Sequence, residues 1–151
     1  MDLLKTVLVL VLLVTACARD TESLDPKQLQ RMSVVRERLK NRLGEKYRQP
    51  VPQATPQQLA RGQALYAQLC APCHGPRGEG SGKNANRLSV KPTDFTDPQQ
   101  ASFYSEQARL YIIRKGIQGT PMMGWENVLS DADIVAVYLY IRSFMKGEES
   151  Q

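Results

Sequence analysis

Cys70, Cys73 and His74 can do thiol and metal chemistry together, because they stand in the run Cys70-Ala71-Pro72-Cys73-His74. Two thiols at this spacing can close a disulfide, share a zinc ion or cycle as a redox pair, but a histidine directly after the second cysteine makes the run the motif for covalent haem attachment. There the thiols add across the haem vinyl groups and the histidine becomes the proximal iron ligand. The spacing has a mechanical reason. Two intervening residues let one helical turn lay both sulfurs along one haem edge, and the histidine must follow at once to reach the iron from that turn. Zinc would need a full tetrahedral set of protein ligands, and the chain has three cysteines and one histidine in all. A thioredoxin-like pair belongs at a strand-to-helix junction, whereas residues 56–74 read as a helix entering a glycine-rich loop.

His74 is the only histidine, so bis-histidine ligation is impossible and the sixth iron ligand must be of another type. Beyond Met1 the methionines are Met32, Met122, Met123 and Met145; only Met122 and Met123 lie in a loop, Gly119-Thr120-Pro121-Met122-Met123-Gly124-Trp125. Paired methionines often just fill a core. Here Gly119, Pro121 and Gly124 set a backbone path between helices, which marks a loop and not a packed face.

These residues need a frame, and 151 residues allow one ordinary domain of roughly 100 residues once a leader and a linker are set aside. Thr55-Pro56 is a cap followed by a proline suited to the first helical position, so a helix runs from there to the cysteines. Gly75 to Gly82 reads as turns, and Ser89 to Pro98 as a loop wrapped around the haem edge. A middle helix is expected from about Tyr104 to Lys115, stopped by Gly116. The last helix begins at Ser130, with Asp133 completing a start like a capping box, and carries Ile134, Val137, Tyr138, Ile141 and Phe144 at helical spacing. No strand pattern intervenes, so the expected fold class is all-α.

In this order the motifs resemble those of class I c-type cytochromes, in the form of a bacterial mono-haem lipoprotein, over roughly residues 56–146. The resemblance implies a domain wrapped around one covalently bound haem c, with His74 and Met122 on the iron. Met122 aligns with the methionine of the family's Gly-Thr-x-Met-Pro stretch. Met123 stands where the family has proline and remains the alternative ligand. Gly62 and Tyr66, with Val137 and Tyr140, fall where the family crosses its first and last helices, and Lys91-Pro92-Thr93-Asp94-Phe95-Thr96-Asp97 is similar to a stretch of many periplasmic relatives. One departure matters: Leu88 is preceded by Asn86, where the family has the proline whose carbonyl orients the proximal histidine. The acceptor for the His74 ring N–H is thus open, and with it the reduction potential. The implied function is transfer of single electrons between redox proteins. A six-coordinate iron has no position for substrate, so no enzymatic activity is expected. The rivals are a permanent haem subunit of a larger respiratory or dehydrogenase complex and a five-coordinate haem that binds small gases or peroxide.

The N-terminus carries an address. Lys5 precedes the apolar run Val7 to Val14, which is far short of the ~20 residues that span a bilayer. Val14-Thr15-Ala16-Cys17 resembles the bacterial lipobox, so residues 1–16 read as a signal peptide and 17–24 as a tether with Cys17 lipidated; a plain signal peptide and an uncleaved anchor are the alternatives. Several acyl chains on one cysteine would hold the protein on a membrane where one is marginal. The expected location is the periplasmic side of a bacterial cell envelope. Residues 25–48 hold eight basic and three acidic residues, a net +5 that equals the charge of the whole chain. Asp25-Pro26 reads as a cap and first position, Leu24 with Leu29 as a hydrophobic staple, and Met32, Val35, Leu39 and Leu43 as one apolar stripe, which makes a helix of about six turns. It is a spacer packed on the domain, a contact to anionic lipid headgroups or a dock for an acidic partner. Nucleic acid is not an expected partner of an exported chain. Residues 49–55 form a proline-rich linker and 147–151 a polar tail.

Overall fold

The computed structural model describes residues 24–145. The expected signal peptide, Cys17 with almost all of its tether, and the polar tail lie outside the described residues. In chain order the helices are α1 (Pro26–Leu43) with a 3-10 turn at Gly44–Arg48, α2 (Pro56–Leu69), the single turn α3 (Ala71–His74), a 3-10 turn at Ala85–Arg87, α4 (Pro98–Ser102), α5 (Glu106–Lys115) and α6 (Asp131–Met145). Among the described residues there is no strand, only an isolated bridge between Gly116 and Met123. The fold is all-α.

Local chemistry sets the helix ends. Thr55 Oγ1 accepts from the Gln58 N–H at 3.2 Å while the Gln58 side chain accepts from the Thr55 N–H at 3.0 Å, so two otherwise unpaired donors of α2 are satisfied reciprocally. Ser130 Oγ accepts from the Asp133 N–H at 3.2 Å at the start of α6. The middle helix begins at Glu106, with Ser105 as its cap, and not at Tyr104. The short α4, capped by Asp97, ends the loop before it. Both shifts follow side chains that bind their own backbone, a competition that apolar periodicity does not register.

The core forms where α2 crosses α6. Tyr66, Ile134 and Val137 are at most 1% exposed, and full burial of an aliphatic side chain such as Ile134 or Val137 contributes about 1.5–3 kcal/mol. Tyr66, Tyr140 and Phe144 meet mutually in tilted or edge-on contacts, with centroids 4.9–5.5 Å apart. Gly62 makes the crossing possible. A Cβ there would overlap the Ala136 carbonyl oxygen and lie 2.9 Å from Tyr140 Cβ, so the close neighbours are Ala136 and Tyr140, with Val137 turned into the core beside them.

Helix α1 packs on α5. Met32 and Leu39 are buried with Tyr104 and Ala108, flanked by Leu24, Val35 and Leu43, and the Tyr104 hydroxyl donates to the Met32 carbonyl at 3.3 Å. Leu29 is not part of this cluster and is 42% exposed. The staple expected with Leu24 gives way because the stripe facing α5 takes up Leu24 and leaves Leu29 on the outer side. Lys27, Arg31, Arg38, Lys40 and Arg42 face solvent. Among the described residues no helix is long and apolar enough to cross a membrane.

The proline-rich linker is extended, as its composition implies, but it is pinned to the domain. Glu106 Oε2 accepts from the Val51 N–H at 2.7 Å, Arg142 donates to the Val51 and Pro52 carbonyls at 2.9 and 2.8 Å, and Glu106 Oε1 accepts from Arg142 at 2.9 Å and from the Tyr138 hydroxyl at 3.0 Å. Burial raises the Glu106 carboxyl pKa, but the bonds from Val51, Arg142 and Tyr138 outweigh it and hold the group below its usual 4.5. A depressed carboxylate stabilises the fold above its unfolded pKa, and that stability is lost as pH falls through the folded value. Glu106→Gln should therefore cost about 1–3 kcal/mol near neutral pH, and the variant and parent should converge as pH falls through the lowered pKa of the folded carboxyl. Urea melts across this range read it directly; equal stabilities at neutral pH would show the network to be dispensable.

Candidate functional site

Cys70 ends α2, its N–H donating to the Tyr66 carbonyl at 2.9 Å, and its own carbonyl accepts from Cys73 at 3.1 Å and His74 at 2.8 Å. One tight turn thus carries both thiols and the imidazole. A helix this short leaves its last carbonyls unpaired, and the glycine-rich loop returns to satisfy them: Asn84 donates to the Pro72 carbonyl at 2.8 Å, Gly82 to Cys73 at 3.1 Å and Gly80 to His74 at 2.7 Å. The buried Tyr66 hydroxyl donates to the Gly75 carbonyl at 2.8 Å. Cys70 and Cys73 are not joined in a disulfide. Burial, reinforced by Cys73, pushes the Cys70 thiol pKa up to about 12.

The His74 ring is held on an edge and a face. Nδ1 lies 3.1 Å from the Thr93 carbonyl, and the ring stacks on Phe95 with centroids 4.9 Å apart and planes at 21°. A carbonyl only accepts, so Nδ1 carries the proton and Nε2 keeps its lone pair for a metal. Burial lowers the His74 pKa, the Thr93 bond opposes this and nearby Arg109 adds to it, which favours the neutral imidazole that ligation requires. Thr93 is the acceptor that the sequence left open. Its contribution is a backbone carbonyl, which no residue type announces; the Phe95 N–H, donating to the Gly78 carbonyl at 2.7 Å, holds the strip in place.

These groups face one cavity of about 310 Å³. Cys70, Cys73 and His74 line it together with Pro92, Thr93 and Phe95 of the loop, Ile113 of α5, and Tyr138 and Ile141 of α6; Met122, Met123 and Trp125 line it too. Met122 is half-buried: its N–H donates to Thr120 Oγ1 at 3.2 Å and its carbonyl accepts from Ile117 at 2.9 Å. Met123 is 58% exposed and its backbone bridges to Gly116. Gly116 is required there. Its φ is +74°, and a Cβ would come within 2.5 Å of the Met122 carbonyl oxygen. Cys17 lies outside the described residues. Two thiols, an imidazole with a free Nε2, a thioether and otherwise largely apolar walls form the donor set that a covalently held haem needs, so the residues fit the group.

Sequence reasoning missed another set of lining residues, Gln28, Arg31, Met32 and Val35 of α1. Met32 and Val35 were visible as an apolar stripe; nothing in the sequence tied that stripe to the cavity.

No curated protein matches the chain. Among solved structures it is similar to a chain of the Kuenenia stuttgartiensis reducing HAO-like protein complex Kustc0457/Kustc0458, with a TM-score of 0.53 and 25% identity over 68% of this chain and 54% of that one. It therefore spans about half the length of that neighbour. A family model described as Cytochrome c matches residues 59–144, the stretch from α2 to α6 that holds both cysteines, His74 and Met122. The match covers more than half of the sequence, and the chain belongs to the cytochrome c family, whose work is haem-based electron transfer.

Proposed function

We propose that this chain is a mono-haem electron carrier tethered to a membrane, passing single electrons between periplasmic or membrane-bound redox proteins. Cys70 and Cys73 hold the haem covalently, His74 and Met122 ligate the iron, and a lipidated Cys17 is the anchor. The observation that carries this reading is the meeting of Cys70, Cys73, His74 and Met122 on one cavity. A haem iron bound there supplies a one-electron couple. Around it the chain's own residues do the rest: Thr93 fixes the proton on His74 Nδ1, Phe95 fixes the ring plane, and the walls of α5 and α6 keep water from the iron. The Met122 thioether would favour the reduced state, and with His74 also on the iron it would leave no open position for a substrate.

A second reading, a permanent haem subunit of a larger assembly, draws on the similarity to a chain of a protein complex. Detergent extraction separates the two. A carrier runs as a single chain that titrates as one one-electron couple, whereas a subunit co-purifies in fixed ratio with other chains.

The anchor has its own test. Cys17→Ser should move the protein from the membrane pellet to the soluble periplasmic fraction with an unchanged haem spectrum, because residues 17 and 70 are separated by α1, the linker and α2. Retention of the variant in salt-washed membranes would rule out lipidation of Cys17 as the tether.

A further inference from the structure

Helix α1 lies outside the stretch that matches the family, residues 59–144, yet it forms a wall of the cavity. Its lining residues, Gln28, Arg31, Met32 and Val35, are spaced so that one continuous helix face looks inward. That face is not wholly apolar. Gln28 is only 8% exposed, and Arg31 stands at the rim with its side chain in solvent. The Tyr104 hydroxyl, bound to the Met32 carbonyl, ties this face to the segment that leads into α5.

On α5 the same cavity meets Arg109, which is 6% exposed. Its Nη2 donates to the Gln100 and Ala101 carbonyls, both at 2.6 Å, but its Nε is buried without a partner. Its other close neighbours are the rings of Phe95 and Tyr104, at 5.5 and 5.7 Å from the guanidinium carbon. No carboxylate pairs with it among the described residues. A buried cation without a counter-ion is costly, and an N–H without an acceptor adds to that cost. Both are relieved by a carboxylate arriving in the cavity, and the haem carries carboxylates on its propionate arms.

We propose that Gln28 and Arg31 of α1, together with Arg109 of α5, form the subsite that holds the haem propionates, so that α1 is part of the cofactor site and not only a spacer. This rests on the haem reading above. Arg109 offers a charge-assisted bond inside, Gln28 an amide donor on the α1 wall of the same cavity, and Arg31 an exposed guanidinium on that wall.

The test uses the full-length, haem-loaded protein. Ferric haem carries one more positive charge than ferrous haem, so a cation on the propionates disfavours the ferric form and its removal lowers the potential. In Gln28→Leu/Arg31→Gln the ferrous-to-ferric ratio at the wild-type midpoint should fall about threefold, roughly 28 mV at the one-electron slope of 59 mV per tenfold. The shift should shrink at high salt, since Arg31 is exposed, and Arg31→Lys should restore most of it. The propionate bending bands in the resonance Raman spectrum should move in the double variant, and also in Arg109→Lys, which keeps the charge but loses the planar fork. Wild-type potential and bands in a haem-loaded double variant would overturn the proposal. Haem staining reads the underlying assignment separately: a wild type without covalent haem would sink the carrier reading itself.

Discussion

Replacing Cys70 and Cys73 together with serine should abolish covalent haem entirely, the largest effect any substitution in this chain can have on its cofactor. In forming a thioether the sulfur bonds to one vinyl carbon and its hydrogen goes to the other. A serine hydroxyl is a far poorer nucleophile and does not replace it. Each single variant should retain at most one bond, and haem staining after denaturing electrophoresis distinguishes the three cases. The turn itself should survive, because it is held by backbone bonds from Asn84, Gly82 and Gly80 and not by either sulfur. Loss of staining would thus report lost chemistry and not a lost fold. Undiminished staining in the double variant would remove the basis of the functional reading.

Met122→Leu should eliminate the weak far-red charge-transfer band of methionine-ligated ferric haem and lower the reduction potential, whereas Met123→Leu should leave both in place. Leucine keeps the bulk and apolar character of methionine, a swap that usually costs less than about 1.5 kcal/mol, so loss of the band would report lost ligation. The two methionines differ in their surroundings. Met122 is half-buried, held by Thr120 on its amide and Ile117 on its carbonyl. Met123 is 58% exposed, and presenting it instead would require turning a backbone that Gly116 and Gly124 pack against too closely to move freely. A Cβ on Gly124 would come within 2.6 Å of the Arg114 carbonyl oxygen. Erasure of the band by Met123→Leu alone would shift the ligand by one residue; persistence in both single variants would mean that the loop lets either sulfur reach the iron.

The two effects would separate in measurement, because the thioethers determine whether the haem stays on the chain and the methionine determines its spectrum and potential. A chain that stained for haem but lacked the band in the wild type would have an open iron position, and the five-coordinate rival would then replace the carrier.

What the sequence determined by itself is local. The attachment motif, the lone histidine, the methionine pair, the Thr55-Pro56 and Ser130 helix starts and the apolar period of α6 each depend on residues within a turn or two of one another, where side-chain type and backbone preference decide the outcome. These suffice for an all-α fold and for naming the residues that could meet a haem. What only the tertiary structure decided is who meets whom across long separations. The Thr93 carbonyl reaches His74 from 19 residues away, and a backbone acceptor has no letter in the sequence. Glu106 and Arg142 close on Val51 across 55 and 91 residues and turn a linker into a docked strap. Helix α1 showed an apolar stripe, but periodicity says only that a face must be buried, not against what. Packing on α5 settled that, and in doing so it brought Gln28 and Arg31 to the edge of the cavity and left Leu29 in water.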